Sequence, residues 1–356
     1  MKRFLCLILA LVSVFALSFT LTGCGEKETA SLTYELQEDD TYMVTGVTTN
    51  ETEIYIPSKK DGKTVTAIDS SAFRNNTTIK KVVLPDTLTF IDTSAFEGAS
   101  ALESINLDKV EILGKKVFKE AFGRVPKVEI KLSSLMSMGT GCFELAAGLK
   151  KVTISGPVVE IPTDAFSGCS GISSLVFGNY VKKIGDNAFK SCVSLETINF
   201  NKVEYVGFES FNGCVALSTI NMPNMKRIMD RAFYGCVRLV TINIGNKLGQ
   251  MYAQAFMDCK SMTYFAVGDY ASEDYRNEWC YFMSLAGSGT TAVTGTISDS
   301  GYCQGSQPFR QYMADPSQFA TFMTGKFNNN SCFVTKSWAT SKGLSLGVSY
   351  PYTDLY

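Results

Sequence analysis

The stretch that decides the fold is IGDNAFKSCVSLETINF, residues 184–200. Two further stretches follow with the same form: VGFESFNGCVALSTINM at 206–222 and IMDRAFYGCVRLVTINI at 228–244. Each opens on an apolar residue and places a Phe five positions later. A Cys comes three after the Phe and a Leu three after the Cys. Each closes on Thr, Ile, Asn and an apolar residue. Working outward, the Phe recurs as Phe73, Phe96, Phe118, Phe143, Phe166, Phe189, Phe211, Phe233 and Phe256, with steps of 23, 22, 25, 23, 23, 22, 22 and 23. Cys169, Cys192, Cys214, Cys236 and Cys259 follow the later copies, and Ile68, Ile91, Ile161, Ile184, Val206 and Ile228 precede them.

The closing alternation, as in Thr197-Ile198-Asn199-Phe200, has the period of two of a half-buried strand. A unit of about 23 residues is too short to bury its own apolar face, so copies must stack and turn each row of like residues into a ladder. The pattern resembles the BspA-type (Treponema pallidum-like) leucine-rich repeat, most closely at Ile184, Ala188, Phe189, Cys192 and Leu195. The resemblance implies a mainly β leucine-rich-repeat solenoid, here about nine rungs of 22–23 residues over 47–268. The structural ladder is then Phe166, Phe189, Phe211, Phe233 and Phe256 with Cys169, Cys192, Cys214, Cys236 and Cys259. The pattern weakens over 110–149, where Phe118 competes with Phe122 and Cys142 precedes Phe143. A distorted turn or an inserted loop is expected there.

Residues 32–46 read as two strands around the acidic turn Glu38-Asp39-Asp40, an N-terminal β cap that protects an otherwise open edge. From 269 to 356 the period is gone, yet Trp279, Trp338 and many Phe and Tyr residues argue for folded structure. This small aromatic-rich C-terminal element is either a cap or a small separate domain. Segments 272–286 and 315–324 are expected as helices, and the Gly- and Ser-rich 287–305 as loop or irregular strand.

The chain opens with Lys2 and Arg3, continues with an apolar run from Phe4 to Leu21, and reaches Leu21, Thr22, Gly23 and Cys24. The order is that of a secretory signal. L-T-G-C resembles the lipobox of bacterial lipoproteins, which implies a signal peptide over 1–23, lipid attachment at Cys24, a lipidated tether over 24–31, and a protein held on the outer face of a bacterial cell membrane. Two acyl chains anchor firmly where one does not. Loss of residues 1–23 moves the net charge from −1 to −3.

With 33 basic and 34 acidic residues, the chain lacks the basic excess that neutralises phosphates, so nucleic acid is not an expected partner. There is no histidine, which excludes Ser–His–Asp and Cys–His catalysis. No cofactor and no metal are expected, and no catalytic residue is assigned. The repeat cysteines read as small core side chains. Cys142, Cys280, Cys303 and Cys332 stand outside the row, and the sequence leaves their pairing open.

Outward positions flank the central apolar residue of each strand: Ser104 and Asn106, Lys127 and Glu129, Lys151 and Thr153, Ser174 and Val176, Thr197 and Asn199, Thr219 and Asn221, Thr241 and Asn243, Tyr264 and Ala266. Thr197, Asn199, Thr219, Asn221, Thr241, Asn243 and Tyr264 form the candidate ligand-binding sheet face. The bland alternative is that the Thr and Asn side chains bond to one another and stabilise the sheet. The resemblance implies an adhesin-like, cell-surface binding protein with an extracellular protein or glycan partner. The alternatives are a structural envelope spacer and an enzymatic or binding module in the C-terminal region. There, Asp274 and Glu278 would share one face of a helix with Glu273 nearby.

Overall fold

The computed structural model describes residues 28–125, 127–245 and 247–261, the backbone of five further strands between 264 and 351, and residue 343. The described body is a solenoid with two parallel ladders of short strands and a turn row between them. One ladder runs through Glu53–Tyr55, Lys81–Val83, Ser104–Ile105, Val128–Leu132, Leu149–Ile154, Ser174–Phe177, Thr197–Ile198, Thr219–Met222, Thr241–Ile244 and Tyr264–Val267, with its pairing interrupted after Ser104–Ile105 and after Thr197–Ile198. The other takes one short strand per rung, from Lys63–Ile68 through Lys183–Ile184 to Gln250–Tyr252. The strands are short because the chain must turn twice within each repeat.

The N-terminal strands Leu32–Leu36 and Tyr42–Val47 pair as an antiparallel hairpin. The second of them lies parallel to Lys63–Ile68 and so covers the end of the second ladder. At the other end, Gln250–Tyr252 pairs antiparallel with Ser331–Thr335, and the sheet continues through Trp279–Ser284, Thr294–Ser298 and Ser349–Pro351. Trp279–Ser284 therefore corrects the helix expected over 272–286. Its Trp, Cys, Tyr, Phe and Met suit a paired strand, and long-range pairing overrode the local spacing of acids. The expected helix over 315–324 lies outside the described residues, as do residues 1–27 with Cys24, the acids 273, 274 and 278, and Cys303.

The turn row holds the core together. Rings from Phe73 to Phe256 stack in one column, with centroids 5.0–5.4 Å apart and planes within 17° of parallel. This offset stacking adds to the burial each ring already gains. The backbone follows in step: the N–H of Phe166 donates to the carbonyl of Ala188 at 2.8 Å, and that of Phe211 to Ala232 at 2.7 Å. Two residues after each Phe the chain enters the left-handed region, at Gly168, Gly213 and Gly235 but also at Ser191 and Leu145. Apart from Leu145, a small or polar residue fills that position on every rung, a repeat signal that the sequence itself carries.

Phe118, not Phe122, occupies the column, 5.4 Å from Phe96 and 5.1 Å from Phe143. Phe122 stacks beside it at 5.3 Å. The three extra residues of this step are absorbed before Val128–Leu132. A bulge there, between Val128 and Glu129, puts Glu129 opposite Lys151 and Lys131 opposite Thr153. The outward pair on this rung is therefore Glu129 and Lys131, which corrects Lys127 and Glu129. Alternation alone fits both registers, and the partner strand selects one.

Candidate functional site

The thiol row lies inside the protein. Cys169, Cys192, Cys214, Cys236 and Cys259 are buried and unbridged, and each Sγ donates to the carbonyl of the Phe one rung back at 2.8–3.3 Å. Burial pushes the Cys192 thiol up to about 12 and the Cys169, Cys214 and Cys236 thiols well above the usual range. A thiol held protonated and out of solvent is inert as a nucleophile. Cys142 is buried too, but it fills the position taken by Ala165 and Ala188 in later rungs. The thiol position of the early rungs is taken by Ala99, Ala121 and Ala146, so the row requires small volume first and sulfur second.

The sheet face is the other candidate. Thr219 lies opposite Thr241 and Asn221 opposite Asn243, and the backbone of Tyr264 continues the Thr row from Thr241. Thr197 stands one rung earlier, opposite Ser174, at the end of a separate hydrogen-bonded stretch. Thr197, Asn199, Thr219 and Asn221 are exposed, and Thr241 and Asn243 half-buried. The Asn199 Oδ1 accepts the N–H of Asn201 at 2.8 Å. Among the described residues, the side chains of Thr197, Thr219, Asn221, Thr241 and Asn243 make no hydrogen bond to the protein. Asn106, in the same column lower down, behaves differently. Its Oδ1 accepts from the Leu84 N–H at 2.8 Å and its Nδ2 donates to the Leu84 carbonyl at 2.9 Å, so it serves the fold. The expected cross-strand bonding of the Thr and Asn side chains is thus not what holds these rungs.

The charges of this ladder sit on other rungs. Glu53 and Lys81 occupy the first two, Glu129, Lys131 and Lys151 the middle ones. The three Thr/Asn pairs are uncharged, a contrast that sets one end of the face apart.

A second concavity arises from one proline. In most rungs a backbone N–H crosses the second ladder at this level, as from Gly139 to Leu113 and from Gly185 to Ile161, both 2.8 Å. Pro162 has no N–H to donate. Ser137–Met138 and Glu160–Ile161 are accordingly unpaired with each other, and a groove of about 430 Å³ lies among Met136, Met138, Val159 and Pro162.

The buried edge of the turn row carries a small charge cluster. Glu209 receives Lys190 at 2.6 Å and Arg231 at 3.5 Å. Burial pushes its carboxyl up, but these two cations more than offset that and hold it below the usual range. Asp230 lies 3.9 Å from the Arg231 Nε, and burial raises it to about 6 against the pull of that cation. An unfolded Asp titrates near 3.9, so the native state holds this proton more tightly. Its contribution therefore favours folding below that value and is lost as pH rises through about 6. Asp230→Asn is expected to stabilise the protein at pH 7 by about 1–2 kcal/mol relative to its effect at pH 4. Urea melts of both proteins at the two pH values check this, and an equal difference at both would contradict it.

The family comparison agrees with this architecture. A model of the BspA type leucine-rich repeat region matches in six copies over 47–156 and 136–263. Among solved structures, a leucine-rich cell surface protein of Faecalibacterium prausnitzii is 19% identical, with 72% of this chain and 97% of that one covered and a TM-score of 0.34. The leucine-rich repeat protein of T. pallidum is 23% identical over 54% of this chain and 91% of its own, with a TM-score of 0.40. The pneumococcal vaccine antigen PcpA is 17% identical over 69% and 82%, with a TM-score of 0.37. No curated protein matches the chain. With the repeat, its register and its aromatic column accounted for, the chain belongs to the BspA type leucine-rich repeat family.

Proposed function

We propose that the protein is an exported, surface-anchored binding protein of adhesin type that takes an extracellular ligand on the Thr/Asn end of its sheet face. The observation that supports this is the in-register Thr219/Thr241 and Asn221/Asn243 side chains, exposed on the first strand and half-buried on the second, which make no hydrogen bond among the described residues. Polar groups ordered by a rigid sheet lose little freedom when they bond a ligand. No catalytic role accompanies this reading: the repeat thiols are buried, and the chain has no histidine. The double variant Thr219→Lys, Asn221→Lys tests the face directly. On an array of extracellular matrix proteins and glycans, the parent is expected to give a saturable hit that the variant loses, with an unchanged melting temperature. A hit that survives both substitutions would place binding elsewhere.

The anchor is proposed from the run ending at Cys24. Cys24→Ser is expected to leave the protein without lipid and to shift it out of the membrane fraction. Retention in the membranes would argue for an uncleaved apolar segment.

A further inference from the structure

We infer that the outer face of the second ladder docks on an anionic lipid bilayer, with exposed apolar side chains entering the headgroup layer and neighbouring cations held at its charged surface. This rests on the anchor reading above, which brings a bilayer within reach, and adds a second contact to it.

Two observations meet on this face. In the short strands of the second ladder the second residue is buried and the first points outward, as in Ile112–Leu113, Ser137–Met138, Glu160–Ile161 and Lys183–Ile184. The outward residue and the one before it form two columns. On the earlier rungs these columns hold Ile112, Met136 and Val159, which are 44%, 57% and 54% exposed. Single exposed apolar residues are ordinary, but a contiguous group marks a contact surface. On the later rungs the columns hold Lys182, Lys183, Lys226 and Arg227, with Lys183 opposite Tyr205 and Tyr205 opposite Arg227. Met136, Val159 and Glu160 line one groove, and Glu160 lies opposite Lys183, so the apolar part runs directly into the basic part.

The basic part stands out in a chain whose net charge is −1. Its acids are already taken, Glu160 by Lys183 at 3.0 Å and Glu204 by Lys226 at 2.6 Å. The bond from Lys226 holds the Glu204 carboxyl below its usual range, and Lys182 and Lys247 add to that pull, so further cations stand around the same acid. Among the described residues, Lys182 and Arg227 make no ion pair. A dissolved polyanion would use these cations and leave Ile112, Met136 and Val159 in water. An anionic bilayer uses both parts, because it attracts lysine and arginine to its surface and takes up apolar side chains beside them. The place of the anchor fits as well. The cap strand Leu32–Leu36 belongs to the same sheet as Ile112–Leu113 and Ser137–Met138. Cys24 lies eight residues before Leu32, a span of at most roughly 29 Å, so a lipid there can enter the bilayer while this face lies against it.

The test uses the chain from residue 24 onward, which keeps every described residue, with Cys24→Ser so that no lipid is attached. Its result is then independent of the anchor, whose own failure would show in the membrane fractionation described above. The protein is sedimented with vesicles of phosphatidylglycerol and phosphatidylcholine in equal parts and with vesicles of phosphatidylcholine alone. Binding to the mixed vesicles is expected to be at least about tenfold tighter, and to weaken as salt is raised. Lys182→Gln with Arg227→Gln should lower that affinity about tenfold or more. Met136→Ser with Val159→Ser should lower it about fivefold or more. Lys131→Gln with Lys151→Gln, on the first ladder, should leave it unchanged, and all variants should melt like the parent. Equal binding to both vesicles, binding to neither, or indifference to the Lys182 and Arg227 changes would overturn the proposal. Mixed-vesicle binding indifferent to the Met136 and Val159 changes would overturn the apolar contact. Capture on immobilised poly-L-glutamate with both vesicles ignored would overturn the bilayer and give the face to an acidic protein.

Discussion

Phe189→Ala is expected to destabilise the protein by about 3–5 kcal/mol, the usual result of removing a fully buried aromatic ring. Phe189 is fully buried and stacks between Phe166 and Phe211, 5.2 Å from each. Its loss removes two ring contacts and opens a cavity in a column that cannot close, because the rungs on both sides are fixed by backbone hydrogen bonds from Phe166 to Ala188 and from Phe211 to Ala232. In a solenoid each rung touches only its neighbours, so the damage also weakens the coupling between the two halves. A broadened or divided urea transition is expected in place of a simple shift. Thr197→Ala, on the exposed face of a neighbouring strand, is expected to cost under about 0.5 kcal/mol. Equal costs for the two substitutions would be incompatible with the assigned register.

Gly148→Ala should be nearly as severe, at about 3 kcal/mol, for the opposite reason. A Cβ at this position would lie 1.8 Å from the carbonyl oxygen of Phe122 and 2.7 Å from its carbonyl carbon. Both are backbone atoms, so no side chain can swing aside. The carbonyl of Gly148 also accepts the N–H groups of Lys127 and Val128 at 3.0 Å, and a shift that relieves the clash would break this link between rungs. By contrast, a Cβ at Gly62 would meet nothing within 4 Å. Gly62 has a φ of +82°, so Gly62→Ala is expected to carry only the ~1 kcal/mol of a left-handed residue. Thermal melts of the two Ala variants side by side separate steric collision from backbone strain. If Gly148→Ala melted above Gly62→Ala, the packing of the 118–148 step described above would be wrong.

That step is where sequence and structure part. The period of 22–23 residues determined the solenoid, because a repeat that cannot bury its own Phe and Ile must stack on its neighbour. It also determined which residues form the aromatic column and the thiol row, since equal spacing along the chain becomes alignment across rungs. It did not determine how rungs pair. Val128–Leu132 alternates so evenly that two registers satisfy it, and only the facing strand Leu149–Ile154 chose between them. Phe118 and Phe122 were equal candidates until the rings of Phe96 and Phe143 fixed the column.

The functional face divides in the same way. The Thr and Asn positions were legible from the strand period alone. Whether those side chains would bond to each other or stay open was a matter of distances between strands, which no single repeat encodes. Asn106 and Asn221 occupy equivalent places in their repeats, yet only Asn106 finds a neighbouring backbone within reach. Sequence fixed what recurs along the chain. The tertiary structure decided which of the recurring groups meet a partner, because hydrogen bonds form between rungs and not within one.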